Sequence, residues 1–351
     1  MNWKKKSKKP VGVIGAGSFG SAIANILAKN SEVLLFARDS VVVKKIAETK
    51  RHRGHTLHKN ITPTGDLSHL ANTCDIIFPI VPSSSFRDMM QLLSPYLHPY
   101  HILIHGTKGL DISLPEGETL SSIDRLERDQ IKTMSEVIMD ESVVLRIGCL
   151  AGPNLAKEMS ENQLAATVVA SHFKEVIREG GNLLRNEMFQ VYGNEDLIGI
   201  ELAGVLKNVI AIASGAISGL GFGQNAKGLL VSRGMVEMIH LGQAMGGNVQ
   251  AFLGLAGIGD LVTTCNSTLS RNYTVGHRLA KGEKVAEIIN SMDEVAEGVN
   301  TVQIAKKFAD TYKVRVPITD AIHQVLFEDL TVDEALQQLM KFPYSVDIDF
   351  L

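Results

Sequence analysis

At 351 residues, with 45% hydrophobic and 21% charged residues, the chain has the composition of an ordinary globular protein long enough for two domains with separate cores. Its 35 basic and 38 acidic residues nearly cancel, so net charge points to neither a nucleic-acid partner nor stable membrane insertion. Three widely separated cysteines, Cys74, Cys149 and Cys265, suit buried thiols in a reducing cytoplasm better than a disulfide framework or a zinc site.

The only basic run is Lys4, Lys5, Lys6, Lys8 and Lys9. With the apolar segment after it and Ala22-Ile23-Ala24, it imitates a secretory signal. Gly12, Gly15, Gly17 and Gly20 make a poor hydrophobic region, however, and cleavage would delete a strand that the following sequence needs. A cytoplasmic location is expected.

Val11, Val13 and Ile14 predict a strand that ends in Gly15-Ala16-Gly17-Ser18-Phe19-Gly20 and opens a small-residue helix through Ala28. Gly15, Gly17 and Gly20 fall on the G-x-G-x-x-G spacing. The first permits a tight turn, the second lets backbone approach a pyrophosphate, and the third allows close helix packing. Glu32–Ala37 then supplies a second buried strand and completes a βαβ unit. A bare glycine turn is the alternative, but this context favours a dinucleotide. Arg38, directly after the strand, suits a 2′-phosphate, whereas Asp39 comes one position late for a ribose hydroxyl and suits the cap of the next helix. Either NADP or NAD remains open as cofactor.

His52, His55 and His58 imitate a metal cluster, but Lys50, Arg51, Arg53 and Lys59 surround them, so a solvated loop without metal is expected. Asp75–Val81 reads as a third strand, apolar as a sheet buried on both faces requires. Pro79 within it implies a bulge or an unpaired edge position. A helix from Val81-Pro82-Ser83-Ser84 follows, then a strand His101–His105 that runs into Gly106-Thr107-Lys108-Gly109. Residues 110–142 read as a polar insertion with an amphipathic helix that uses Leu120, Ile123, Ile131, Met134, Val137 and Ile138. Val143–Leu150, Ala165–Ala170 and Met188–Tyr192 complete the strands, with a helix from His172 to Arg185.

Near Gly193 strand-like runs stop. Residues 1–193 are therefore expected to form an α/β dinucleotide-binding domain and 194–351 a helical substrate domain. A helix from Asp196 to Ser218 places Leu202, Leu206, Val209, Ile210 and Ala213 on one face. Lys207 shares the other with Ala203, Gly204, Ala211 and Ser214, which leave room beside its ammonium. Close helix packing, with Lys207 reaching water, is the plainer alternative. The uncharged run from Asn208 to Ala226 is too polar and glycine-rich for a good membrane span. Gly219–Gly223 reads as a helix-ending turn. Asp260 follows what reads as a flexible turn, Gly254–Gly259. Arg271 is either a bidentate phosphate clamp or a surface arginine.

Taken together, GAGSFG, VPS, GTKGL, AGPNLAKE, ELAGVLKNVIAIASG, GLAGIGDLVTTC, SRN and AEGVNT, in this order, resemble the bacterial NAD(P)-dependent glycerol-3-phosphate dehydrogenase family. The resemblance implies a Rossmann-like doubly wound N-terminal domain, an all-α C-terminal domain, and interconversion of dihydroxyacetone phosphate and sn-glycerol 3-phosphate for phospholipid synthesis. It implies a phosphorylated triose as partner and leaves a homodimer open. Cofactor contacts carry over to Ser18, Phe19, Arg38, Lys108, Ala156, Arg271, Val295 and Glu297, beside the motif's own Gly15, Gly17 and Gly20. Substrate contacts carry over to Lys108, Gly152, Asn154, Lys207, Asp260, Ser270, Arg271 and Asn272, with Lys207 as catalytic base. The chain departs from the pattern at Asn154, where the family usually has a hydroxyl residue, and in the length of 110–142. β-Hydroxyacid and 6-phosphogluconate dehydrogenases share the domain plan but typically carry Asn four residues after the helix lysine, where this chain has Ala211. A non-catalytic NAD(P) sensor would have no use for Lys108, Lys207, Asp260 and Arg271 together.

Overall fold

The computed structural model describes residues 9–341, and these form two compact units. The first takes in residues up to Asp111 together with Thr133–Leu197, and the second Ile112–Lys132 together with residues from Ile198 onward. A single cut at 193 would leave Ile112–Lys132 in the first unit. Lys4, Lys5, Lys6 and Lys8 lie outside the described residues, while Lys9 pairs with Asp75 at 2.8 Å.

The first unit is built on a sheet of eight strands: Val11–Ile14 (β1), Val33–Phe36 (β2), Ile61–Thr64 (β3), Ile76–Pro79 (β4), Ile102–His105 (β5), Arg146–Ala151 (β6), Ala165–Ala170 (β7) and Phe189–Asn194 (β8). Their order is β8-β7-β6-β5-β4-β1-β2-β3, and only β6 and β7 run antiparallel. Alternate residues feed opposite faces. Val11, Val13, Val33, Leu35, Phe78 and Ile104 pack with Ile23 and Leu27 of helix Ser18–Leu27 and with Val176 and Leu184 of helix Lys174–Leu184. Ile14, Leu34, Ile77, Leu103 and Ile147 pack with Leu70, Phe86, Met90 and Val137 of helices Leu67–Thr73, Phe86–Leu93 and Met134–Glu141. Helices therefore cover both faces, the doubly wound Rossmann-like arrangement, and each face buries its own core.

Three expectations need correction. Pro79 is neither bulged nor at an edge, because β4 lies between β1 and β5. It ends the strand: pairing with β1 continues to Ile14↔Pro79, while pairing with β5 is confined to Ile76↔Ile102 and Ile77↔Leu103. The missing N–H costs one bond toward β5, while the Pro79 carbonyl still accepts from the Gly106 N–H at 3.1 Å and the Ile80 N–H donates to the Ile14 carbonyl at 2.7 Å. The insertion forms no α-helix over Leu120–Ile131, only a 3-10 turn at Arg128–Gln130, and its α-helix is Met134–Glu141. Thr133 and Glu136 form a reciprocal capping box that starts the helix there, and Leu126 is buried in the second unit beside Thr311, whose hydroxyl accepts from the Leu126 N–H at 3.0 Å. The histidine segment is a hairpin, Arg51–His52 against His55–Thr56, instead of a loop.

The second unit is helical apart from a short ladder of Asp111–Ile112 with Ile131–Lys132. Helix Leu197–Gly219 is buried on every side from Gly199 to Ala216, so its two sequence faces differ in size of neighbour but not in exposure. By length and composition it could cross a membrane, yet 94% of its most apolar stretch is buried inside the protein. Helix Arg271–Leu279 crosses it at near backbone contact. A Cβ on Gly276 would fall 1.8 Å from the Ile212 carbonyl oxygen, and one on Gly215 would fall 1.9 Å from that of Tyr273. Helix Glu297–Tyr312 packs on Pro317–Phe327, which packs on Val332–Met340.

Candidate active site

The first unit presents its site at the carboxyl ends of β1, β5 and β6, where open α/β sheets place ligands. Gly15 adopts φ +114° with the Ile80 carbonyl oxygen 2.1 Å from the place of a Cβ, and a Cβ on Gly20 would fall 1.9 Å from the Gly15 oxygen. The turn and helix start close on each other as the glycine spacing requires. Gly17 caps helix Ser18–Leu27 without a side-chain bond of its own. The Phe19 ring packs on Gly106, 2.9 Å from where a Cβ would stand. Arg38 is exposed just after β2, and Asp39 accepts from the Val41 N–H at 2.8 Å as the cap of the next helix.

Past β5, half-buried Lys108 donates to the Gly152 carbonyl at 2.9 Å. Asn154 is tied down from both ends of its amide: Nδ2 donates to the Ala166 carbonyl at 3.0 Å, and Oδ1 accepts from Thr167 Oγ1 at 2.9 Å. Ala156 begins the short helix Ala156–Ser160 and packs against the core that includes Ile23.

In the second unit, Lys207 and Asp260 form an ion pair of 2.8 Å with side chains only 6% and 3% exposed. Thr264 completes a triangle: its hydroxyl accepts from the Lys207 ammonium and donates to Asp260 Oδ1 at 3.1 Å. The segment before Asp260 is no flexible turn. Leu255–Gly259 is a turn of π-helix, and a Cβ on Gly257 would fall 1.9 Å from the Phe252 carbonyl oxygen, so the carboxylate rides on a rigid element. Burial pushes the neighbouring Cys265 thiol up to about 12, which keeps it protonated.

The Gly276–Ile212 crossing brings the start of helix Arg271–Leu279 beside the same helix that carries Lys207. Ser270 caps it, accepting from the Tyr273 N–H at 3.2 Å. Asn272 is buried, and its Oδ1 accepts from the Gly298 N–H at 2.9 Å. A Cβ on Gly298 would lie 2.7 Å from that oxygen and 2.9 Å from the Asn208 carbonyl. Arg271 is exposed, donates to the Val295 carbonyl at 2.6 Å and lies 3.7 Å from Glu294. Glu297 opens the helix that follows.

Two family models match the chain along its length. The model described as NAD-dependent glycerol-3-phosphate dehydrogenase N-terminus covers residues 10–177, and that described as the C-terminus covers 196–337. The chain belongs to this family. Among curated members, glycerol-3-phosphate dehydrogenase [NAD(P)+] of Saccharophagus degradans is 38% identical over 98% of this chain and 93% of its own length. The enzyme of the same name from Pseudomonas putida is 38% identical over 98% and 97%. A crystal structure of glycerol-3-phosphate dehydrogenase from Coxiella burnetii superposes with a TM-score of 0.84 at 30% identity, covering 95% of this chain and 99% of that one.

As a member of this oxidoreductase family, which uses NAD or NADP, the chain carries two groups that sequence reading overlooked. Thr264 lies four residues after Asp260 on helix Asp260–Asn266, the spacing that puts two side chains on one face, and the TTC of the quoted motif held it in view. Gly298 was equally hidden. Nothing local announces that its amide meets Asn272, since their contact joins two helices far apart in sequence.

Proposed function

We propose that this chain interconverts dihydroxyacetone phosphate and sn-glycerol 3-phosphate with NADPH or NADH and supplies glycerol 3-phosphate for glycerophospholipid synthesis. The buried Lys207–Asp260–Thr264 triangle carries the reading. Reducing a ketone needs a hydride at carbon and a proton at oxygen; the reduced nicotinamide supplies the hydride when bound. Lys207 supplies the proton as an ammonium acid, and in the reverse direction takes it back as a neutral amine. Asp260 and Thr264 hold the amine in one place, so the proton is delivered along a fixed line.

The chain's residues fit the cofactor. Gly15, Gly17, Ser18, Phe19 and Gly20 offer close backbone approach and helix amides to the pyrophosphate, and Arg38 is exposed where a 2′-phosphate would pass. We assign Ala156, Val295 and Glu297 to its remaining contacts. Ser270, Arg271 and Asn272, at the start of a helix, suit the substrate phosphate; with Asn272 Oδ1 engaged by Gly298, the amide can serve it only through Nδ2. Lys108, past the end of β5 and held by the Gly152 carbonyl, is the cation we assign to a substrate oxygen. Asn154 donates one Nδ2 hydrogen to the Ala166 carbonyl and accepts from Thr167 Oγ1 at Oδ1, and we assign the second Nδ2 hydrogen to the substrate. We place the reaction in the cytoplasm, in keeping with three buried cysteines outside any disulfide.

Purified protein given dihydroxyacetone phosphate and NADPH or NADH should oxidise the nucleotide with formation of an equal amount of glycerol 3-phosphate. Nucleotide binding with no such oxidation would sink the proposal in favour of a sensor.

A further inference from the structure

His52 lies outside every contact assigned so far, yet it reaches into the glycine turn. Its Nε2 is 2.7 Å from the Ala16 carbonyl oxygen, across 36 positions of sequence. A carbonyl oxygen only accepts, so this ring nitrogen carries a proton and donates it. The hairpin that carries the ring is anchored. His52 pairs with His55 across the hairpin, the Leu57 N–H donates to the Lys50 carbonyl at 2.7 Å, and Leu57 is buried in the same core as helix Ser18–Leu27. Asn25 of that helix clasps the hairpin's second strand on both sides, donating to the Thr56 carbonyl at 3.2 Å and accepting from the His58 N–H at 2.8 Å.

We infer that His52 is a positioning residue that aims the Gly17 N–H by holding the Ala16 carbonyl. The two groups belong to one planar trans peptide and point in opposite directions, so a carbonyl fixed toward the hairpin turns the Gly17 N–H away from it. That peptide joins Ala16 to Gly17, whose missing side chain leaves rotation on one side of it little hindered, and it lies ahead of the first helical hydrogen bond, Ser21 N–H to the Gly17 carbonyl. The inference rests on the reading of Gly15–Gly20 as the pyrophosphate turn. Because His52 acts on the backbone, and the pyrophosphate is common to both nucleotides, its effect should be the same for NADH and NADPH.

The test is fluorescence titration of NADH and NADPH into the full-length protein and its variants, with steady-state kinetics alongside. His52→Ala and His52→Phe, which remove the donor with and without the ring's bulk, should weaken both nucleotides by the same factor, roughly 3–10-fold, the worth of one ordered hydrogen bond. The loss should appear in KM, with kcat at saturating nucleotide within about twofold of wild type. His52→Gln, which keeps an N–H donor, should recover most of the affinity. Unchanged affinity in the Ala and Phe variants, a loss confined to NADPH, or no recovery with Gln would each overturn the role. Gly17→Val is the control, since φ of −72° accepts a side chain while the isopropyl group would obstruct the nucleotide. If Gly17→Val binds both nucleotides normally, the assignment of the turn itself has failed; if it binds neither well and the His52 variants are unaffected, only the positioning role has.

Discussion

At the scale of single residues the proposed chemistry rests on Lys207, and removing it has two separable consequences. Lys207→Ala should lower turnover by roughly 10²–10⁴-fold, the range for a positioned acid–base group, with nucleotide affinity preserved. It also takes the cation from a buried ion pair, which costs on the order of 3–5 kcal/mol of stability. Turnover should therefore be measured below the variant's own melting transition, with circular dichroism confirming the fold; near-normal kcat in folded protein would remove Lys207 from the mechanism. Arg38 works differently, as an exposed group at the strand end. A charge-assisted contact with the 2′-phosphate is worth about 1.5–3 kcal/mol, so Arg38→Ala should raise KM for NADPH far more than for NADH. Equal changes in the two constants would show that Arg38 does not read the phosphate.

Among elements, helix Gln224–Ala244 makes an unusual contribution through Glu237, which is buried against the start of helix Pro317–Phe327. Its carboxyl accepts from the Ile318 N–H at 2.5 Å and from the Thr319 N–H and hydroxyl at 3.1 Å each, and so caps that helix. Burial nevertheless outweighs these bonds and pushes its pKa up from 4.5 to about 8. Between those values the folded chain holds a proton that the unfolded chain has released. The sign is therefore that stability from this group is fully present below about 4.5 and is lost as pH rises through about 8. Urea unfolding at pH near 5.5, 7 and 8.5 should show wild type losing ground against Glu237→Gln as pH rises, since glutamine does not titrate. A gap that stays constant, or widens in favour of wild type, would mean the carboxyl ionises at its ordinary pH.

For the molecule as a whole, the proposed hydride and proton transfers ask for no Lewis acid, and His52, His55 and His58 are committed to the hairpin among cations. His52 serves Ala16, and His58 Nδ1 accepts from the Asn60 N–H at 3.2 Å. Activity should therefore survive exhaustive treatment with EDTA, and elemental analysis of unchelated protein should find no stoichiometric zinc or nickel. Loss of activity on chelation, restored by one of these metals and abolished by changing the three histidines to alanine, would contradict this.

What the sequence determined by itself is local. Glycine spacing after an apolar run specified the β1 turn, because each glycine answers a backbone constraint within a few residues. Asp39 was legible as a helix cap for the same reason, since its acceptor and the Val41 N–H lie two positions apart. The order of quoted motifs also marked the family along the chain. The tertiary structure decided what depends on distant partners. Pro79 is accepted at the end of a central strand because its carbonyl and the Ile80 N–H still find partners just past β5 and on β1, which nothing in Asp75–Val81 reveals. Leu120, Ile123 and Ile131 have the spacing of a buried helix face, but residues 112–132 find their apolar partners in the second unit without forming one. Lys207 could have reached water or stayed buried; the choice was made by Asp260 and Thr264 more than fifty residues away, since a buried ammonium persists only where a carboxylate and a hydroxyl meet it.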